Sequence, residues 1–184
     1  MSASGGSICR QSECTIRRHV DGETVSEAEF SPCGTYRYAL TRRWSDGPRL
    51  AWIMLNPSKA DERRNDPTVV RCERRARAGG FGGFRVVNLF ALMATDPREL
   101  KAHAEPEGPG NAAALRAACD WADIVVCGWG VHGAHRGQGK RVRTLLSKWG
   151  ARPRVLGLTR DGHPRHPLYV GYAQGFVDWP EGVA

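Results

Sequence analysis

Leu50-Ala51-Trp52-Ile53-Met54-Leu55-Asn56-Pro57-Ser58 is the stretch from which the fold is read. Six apolar residues follow one another without alternation, and Asn-Pro breaks the run. That pattern predicts a buried parallel strand whose C-terminal end opens into a loop. In open α/β sheets, ligands bind outside that edge. The same layout recurs twice. Phe84-Arg85-Val86-Val87 ends at Asn88, and Arg154-Val155-Leu156-Gly157-Leu158 runs out into Gly162-His163-Pro164-Arg165-His166-Pro167. Three strand ends are therefore expected to offer amide or imidazole groups to one crevice.

Working outward, residues 15 to 47 read as antiparallel β structure. Thr15 to His19, Val25 to Phe30 and Tyr36 to Trp44 alternate, with turns at Asp21-Gly22, Pro32-Cys33-Gly34 and Asp46-Gly47. Asp66-Pro67-Thr68 predicts a helix start, with Asp66 as cap and Pro67 in the first position. That helix runs to Arg77 or Ala78 and stops at Gly79-Gly80. Strand two is Phe84 to Asn88, and a loop follows through Asp96-Pro97. Asn111 is read as the cap of a helix through about Trp121. Strand three is Ile124 to Cys127, a basic helix covers Gly139 to Trp149, and strand four is Val155 to Leu158. Strands alternating with helices predict an α/β fold of three layers around a central, mainly parallel sheet. Residues 1–13 read as a flexible lead-in. Residues 14–184 read as a single domain, with a β-rich extension over 14–48 and an α/β core over 49–178.

The chain has 184 residues, room for one domain with a real core. Mean hydropathy is -0.46 and no long apolar run occurs, which speaks against a membrane-spanning helix. The N-terminus lacks the basic-then-apolar pattern of a signal peptide, so a cytoplasmic location is expected. Net charge is +8 with a pI near 9.6, a balance that favours polyanions. Arginines concentrate at 63–64, 71–77 and 136–143.

None of the six cysteines forms a Cys-x-x-Cys pair. Cys119 and Cys127 read as small buried residues. Cys9, Cys14 and Cys33 are close enough in sequence to raise a metal, but their spacing fits no common ligand pattern. The pairs His132/His135 and His163/His166 raise zinc in the same way. Both lie among glycines and prolines without a third ligand at fixed spacing. No metal and no cofactor is expected.

Asn56 reads either as a group that positions a water or ligand carbonyl, or as a turn residue that opens a loop. Asn88 sits inside an apolar stretch and must be hydrogen-bonded if buried. Its amide offers both donor and acceptor, as the edge of a nucleobase demands. His163, Arg165 and His166 lie in a stiff loop where they would stabilise a developing anion or simply face solvent. Gly128-Trp129-Gly130-Val131-His132-Gly133 is a glycine-rich turn, but neither a P-loop nor a dinucleotide fingerprint.

Several of these segments resemble the bacterial and phage family called "domain of unknown function 1643". The resemblance rests on Ser31-Pro32-Cys33-Gly34-Thr35-Tyr36-Arg37-Tyr38, on Met54 to Asp61, on Asp66-Pro67-Thr68, on Val87 to Pro97 and on Leu158 to Tyr169. It covers about residues 30 to 172. The order of motifs also resembles, more distantly, the uracil-DNA glycosylase superfamily. Leu55-Asn56-Pro57-Ser58 stands where that superfamily handles the attacking water, although Leu55 and Ser58 replace its glycines. Val86-Val87-Asn88 stands where it reads the base. His163-Pro164-Arg165-His166-Pro167-Leu168 stands where it holds the departing base and wedges the helix.

This second resemblance implies a uracil-DNA glycosylase-like fold and a hydrolase that flips a base out of DNA. It implies catalytic roles for Asn56, His163 and His166. Asn88, Pro57 and Phe90 would form the base site, and Ser58, Arg165, Leu168, Arg136 and Lys140 would contact nucleic acid. The expected partner is nucleic acid, DNA ahead of RNA, or a nucleotide. The alternative is a non-catalytic nucleic-acid or nucleotide binding module on the same fold. A metal-dependent hydrolase using the histidines is a third reading.

Overall fold

The computed structural model describes residues 14–180. The expected lead-in over 1–13, and Cys9 within it, lies outside the described residues. Strands β1 (Thr15–Asp21), β2 (Thr24–Phe30), β3 (Arg37–Arg43), β4 (Arg49–Met54), β5 (Gly83–Asn88), β6 (Ile124–Cys127), β7 (Arg154–Val155) and β8 (Val177–Asp178) make one sheet. Their order is β1-β2-β3-β5-β4-β6-β7-β8.

Against the expectation of a mainly parallel sheet, parallel pairs are the minority. Parallel pairing is confined to β5-β4-β6-β7. The pairs β1–β2, β2–β3, β3–β5 and β7–β8 are antiparallel, so the sheet is mixed and mostly antiparallel. Connection length is the physical reason. The links from β1 to β2 and from β2 to β3 hold no helix, and a parallel partner needs a crossover long enough to return the chain. The β-rich N-terminal segment does not form a layer of its own; it widens the sheet beyond β5.

Four helices, α1 (Pro67–Ala78), α2 (Pro97–Ala102), α3 (Asn111–Trp121) and α4 (Gln138–Lys148), complete the fold. The central strand β4 is buried on both faces. Leu50, Trp52 and Met54 enter one core with Val69, Cys72 and Ala76 of α1. Ala51 and Ile53 enter the other with Leu115 and Ala118 of α3 and Val142 and Leu146 of α4. An uninterrupted apolar run is what a strand between two helical layers requires.

The start of α1 is as the sequence predicts. Asp66 Oδ1 accepts a hydrogen bond from the Val69 amide at 2.8 Å, and Pro67 opens the helix. The cap of α3 is not. Gly110 is the cap and Asn111 is the first helical residue, buried, with its side chain turned to the sheet. The segment after Asp96, expected as loop, forms α2, where Asp96 caps the Arg98 amide at 2.8 Å. Strand four stops after Val155. Gly157, at φ +116°, turns the chain out of the sheet, and Leu158 bridges back to Pro164. No helix among the described residues is long and apolar enough to cross a membrane.

Candidate functional site

Met54 marks where the three predicted strand ends meet. Its lateral partner on β5 is Asn88. On its other side, a Cβ placed on Gly128 would lie 3.2 Å from the Met54 sulfur and 3.1 Å from Pro167 Cδ. The end of β4, the end of β5, the turn after β6 and the His163–Leu168 loop therefore pack around one residue at the carboxyl edge. The chain leaves β4 for α1 on one face and leaves β6 for α4 on the other, which makes this edge the switch point of the parallel strands.

Asn56 is held hard at this edge. Its Nδ2 donates to the Ala94 carbonyl at 2.7 Å and to its own neighbour Pro57 at 3.0 Å. Both amide hydrogens are thus engaged, and Oδ1 is the acceptor that remains. Pro57 is buried, and its carbonyl also accepts from the Ala94 amide. Asn56 ties the loop after β4 to the loop after β5 and presents an oriented acceptor in doing so.

Asn88 is 1% exposed, and its Nδ2 has no hydrogen-bond partner. A buried amide left in this state costs about 1–3 kcal/mol, so its place at the switch-point edge calls for an explanation. Its backbone carbonyl is in use. The Asn88 carbonyl accepts from Asn111 Nδ2 at 3.0 Å, and the Leu89 carbonyl accepts from both Asn111 at 3.0 Å and Gln138 at 3.1 Å. The first residues of α3 and α4 thus fix the end of β5. Nothing in the sequence around Asn111 or Gln138 marked this role, because both look like ordinary helix starts.

His166 stands beside the turn after β6, its Cβ 3.5 Å from a Cβ placed on Gly130. The ring Nδ1 accepts the Leu168 amide at 3.3 Å, so Nε2 carries the proton of the neutral ring. Burial pushes the pKa of His166 down to about 4, and the opposing pull of Asp66 is smaller. At neutral pH this is a neutral donor, one that can meet a developing negative charge without bringing a cation into the site.

The structure separates the two histidines of the loop. His163 lines a cavity with Trp129, Lys140 and Trp179 rather than the edge around Met54. Phe90 is buried and packs against the His135 ring, with centroids 5.6 Å apart. Leu168 and Ser58 are half-buried, and Arg165 and Lys140 are exposed. Arg136 is exposed in part but engaged. It donates to the carbonyls of Ala104 at 2.8 Å and His103 at 2.9 Å, and lies 3.8 Å from Glu107.

The arginines of α1 were read from composition as polyanion contacts, and several hold the chain together instead. Arg75 donates to the carbonyls of Val170, Gly171 and Gln174 at 2.7–2.9 Å, and Arg71 joins it on Val170 at 3.0 Å. Both also lie over the Tyr172 ring. One signal marked this: Arg75 is three residues from Cys72, on the helix face that Val69, Cys72 and Ala76 bury. Arg37 is buried and donates to the Ala60 carbonyl, and burial brings its pKa down to about 10. Arg42 holds Asn65 at 2.9 Å. Together they pin the segment that links Asn56 to α1.

Two of the nearby carboxylates are also in use, whereas Glu62 has one oxygen 3.7 Å from Arg63 and the other buried without a partner. Asp61 accepts the amides of Arg63 and Arg64, each at 2.8 Å, and Asp66 caps α1. Among the described residues no three His, Cys, Asp or Glu side chains group to hold a metal.

Comparison with known proteins bears on this arrangement through one match. A family model described as "Protein of unknown function (DUF1643)" matches residues 37–168, well over half of the chain. The chain belongs to this family. The matched span runs from β3 to the Pro167 turn, so it contains the whole carboxyl edge with Asn56, Asn88 and His166. No curated protein and no solved structure matches the chain.

Proposed function

We propose that the chain is a base-excising hydrolase that acts on a uracil-like or modified base in DNA. The observation that carries this reading is the buried, unpartnered amide of Asn88 at the switch-point edge. A carbonyl on a flipped base supplies the acceptor that Nδ2 lacks. Asn56 Oδ1, oriented by its two donated bonds, would hold the attacking water at the sugar carbon. His166 Nε2–H would stabilise the anion forming on the departing base.

Asparagine cannot take up a proton as a general base, so positioning and electrostatics must carry the rate, and slow turnover is expected. DNA would dock through charge, with Ser58, Arg165 and Leu168 at the mouth of the edge. Flipping the base costs a few kcal/mol, least where pairing is weak.

One observation favours a second reading. Of the three carboxylates that follow Asn56, Asp61 and Asp66 are engaged as backbone caps, and Glu62 lies 3.7 Å from Arg63 through one oxygen while the other is buried without a partner. A module that binds a nucleobase or nucleotide without cleaving it would need no such group. Incubating the protein with oligonucleotides that carry uracil, hypoxanthine, mismatched or modified bases, followed by alkaline cleavage, separates the two. Strand breaks at one base class support the hydrolase. Salt-sensitive binding with no abasic product on any substrate leaves the binding module.

A further inference from the structure

On the α4 face, away from Met54, a cavity of about 230 Å³ is lined by Trp129, Gly139, Lys140, Arg143, His163 and Trp179, with glycines and Pro164 between them. Its walls carry an unusual set of polar atoms. Trp129 is 2% exposed and Trp179 9%, and neither indole Nε1 has a hydrogen-bond partner. Arg143 Nη1 is buried and unpartnered as well. The Trp129 nitrogen packs against two glycines of the lining: a Cβ placed on Gly133 or Gly139 would lie 2.5 or 3.0 Å from it.

All three orphans are donors. Lys140 adds a cation, and no carboxylate lines the cavity. The helix α4 begins here with no side-chain cap, which places the positive end of its dipole near the cavity, although the Gln138 amide is already bonded to the Gly133 and His135 carbonyls. The rings frame the site: the Trp129 and Trp179 centroids are 5.3 Å apart, and the Arg143 guanidinium lies 4.4 Å from the Trp179 centroid. Arg143 Nη2 donates to the Pro180 carbonyl, which fixes the guanidinium in that position.

Buried indole donors cannot give up a proton or change partner, and each stays costly until an acceptor arrives. From these donors we infer that the cavity is a binding site for a phosphate group. A phosphate offers acceptor oxygens and negative charge together, which matches the three orphaned donors and the Lys140 cation set in a largely apolar lining. The cavity continues into a groove that shares Lys140, Arg143 and Trp179 and adds Lys148, Arg152 and Arg154, with Asp123 and with Asp178 paired to Arg154 at 3.2 Å, so cations outnumber carboxylates. That basic continuation gives room for whatever the phosphate is attached to. The inference is independent of the base chemistry proposed at the carboxyl edge.

Isothermal titration of the full chain tests it with inorganic phosphate, a deoxynucleoside 5′-monophosphate, and one oligonucleotide bearing either a 5′-phosphate or a 5′-hydroxyl. Saturable phosphate binding tighter than about 1 mM is expected. Trp129→Phe keeps an aromatic ring but removes the N–H together with part of the indole, and is expected to weaken binding about tenfold. Lys140→Met, at an exposed position that does not threaten folding, is expected to weaken it several-fold. The nucleotide arms identify the source: stronger binding of the 5′-phosphorylated oligonucleotide assigns a strand end, and equal binding assigns free phosphate or a mononucleotide. Absence of saturable binding by every phosphate probe overturns the site, as does an affinity that neither variant changes.

Discussion

The carboxyl edge around Met54 and the cavity beside α4 are both built on the turn after β6, yet their chemistry differs. The edge gathers neutral groups of both kinds: an acceptor on Asn56, a buried amide on Asn88 and a protonated Nε2 on a neutral His166. The cavity is largely apolar, and its polar groups are the donors of Trp129, Trp179 and Arg143, the Lys140 cation and the His163 imidazole. A mixed, neutral set suits the edge of a heterocycle, where donors and acceptors alternate. A donor-rich set suits an oxyanion. Side chains of one turn and one loop thus build two chemically different environments.

The largest effect that would sharpen this contrast is at Asn56. Asn56→Ala should lower base release by roughly 100-fold or more, because it removes the oriented acceptor. It should also cost about 1–2 kcal/mol of stability through the lost bonds to Ala94 and Pro57. Phosphate affinity in the cavity should stay within about twofold. A parallel loss at both places, in a protein that remains folded, would merge the two regions into one site.

Arg75→Met comes next. It strips donors from the carbonyls of Val170, Gly171 and Gln174, just after the His166 loop. A loss of about 2–4 kcal/mol is expected, or roughly 5–10 °C in melting temperature by calorimetry. A change within about 1 °C would show that the clamp contributes nothing net.

The smallest effect is in pH. His166 is held near pKa 4 against an ordinary value near 6.5. The unfolded chain therefore binds the proton first. The stability this group contributes is complete above about pH 6.5 and is lost as pH falls towards 4. The replacement His166→Gln should flatten the melting temperature across that window. Base release should hold level down to about pH 5, since the ring stays neutral; a fall centred near 6.5 would place His166 in an exposed, ordinary environment.

How much of this was legible in the chain varies with the scale of the forces. The strand Leu50–Leu55, the Asp66-Pro67 helix start and the strand ends at Asn56 and Asn88 were readable, because local pattern and caps determine them. The mixed sheet was not read, since pairing direction depends on connection length across the whole N-terminal segment. The third strand end was half-read: Gly157 stops β7 early, and the two histidines of the following loop part company across the turn after β6. The basic composition misled where burial changed the task of a side chain. Arg37 and Arg75 bind carbonyls inside the molecule, which charge counting cannot reveal. Trp129 and Trp179 carried no signal at all, because a buried tryptophan and an orphaned indole look alike in sequence.

The central claim is that Asn88 faces a ligand rather than the interior. Asn88→Leu tests it most directly, measured as base release and melting temperature on the same preparation. A near-isosteric apolar side chain removes the unpartnered donor, so the account predicts unchanged or slightly higher stability together with loss of base release and of nucleobase binding. A variant that melts several degrees lower while still releasing or binding the base would contradict it.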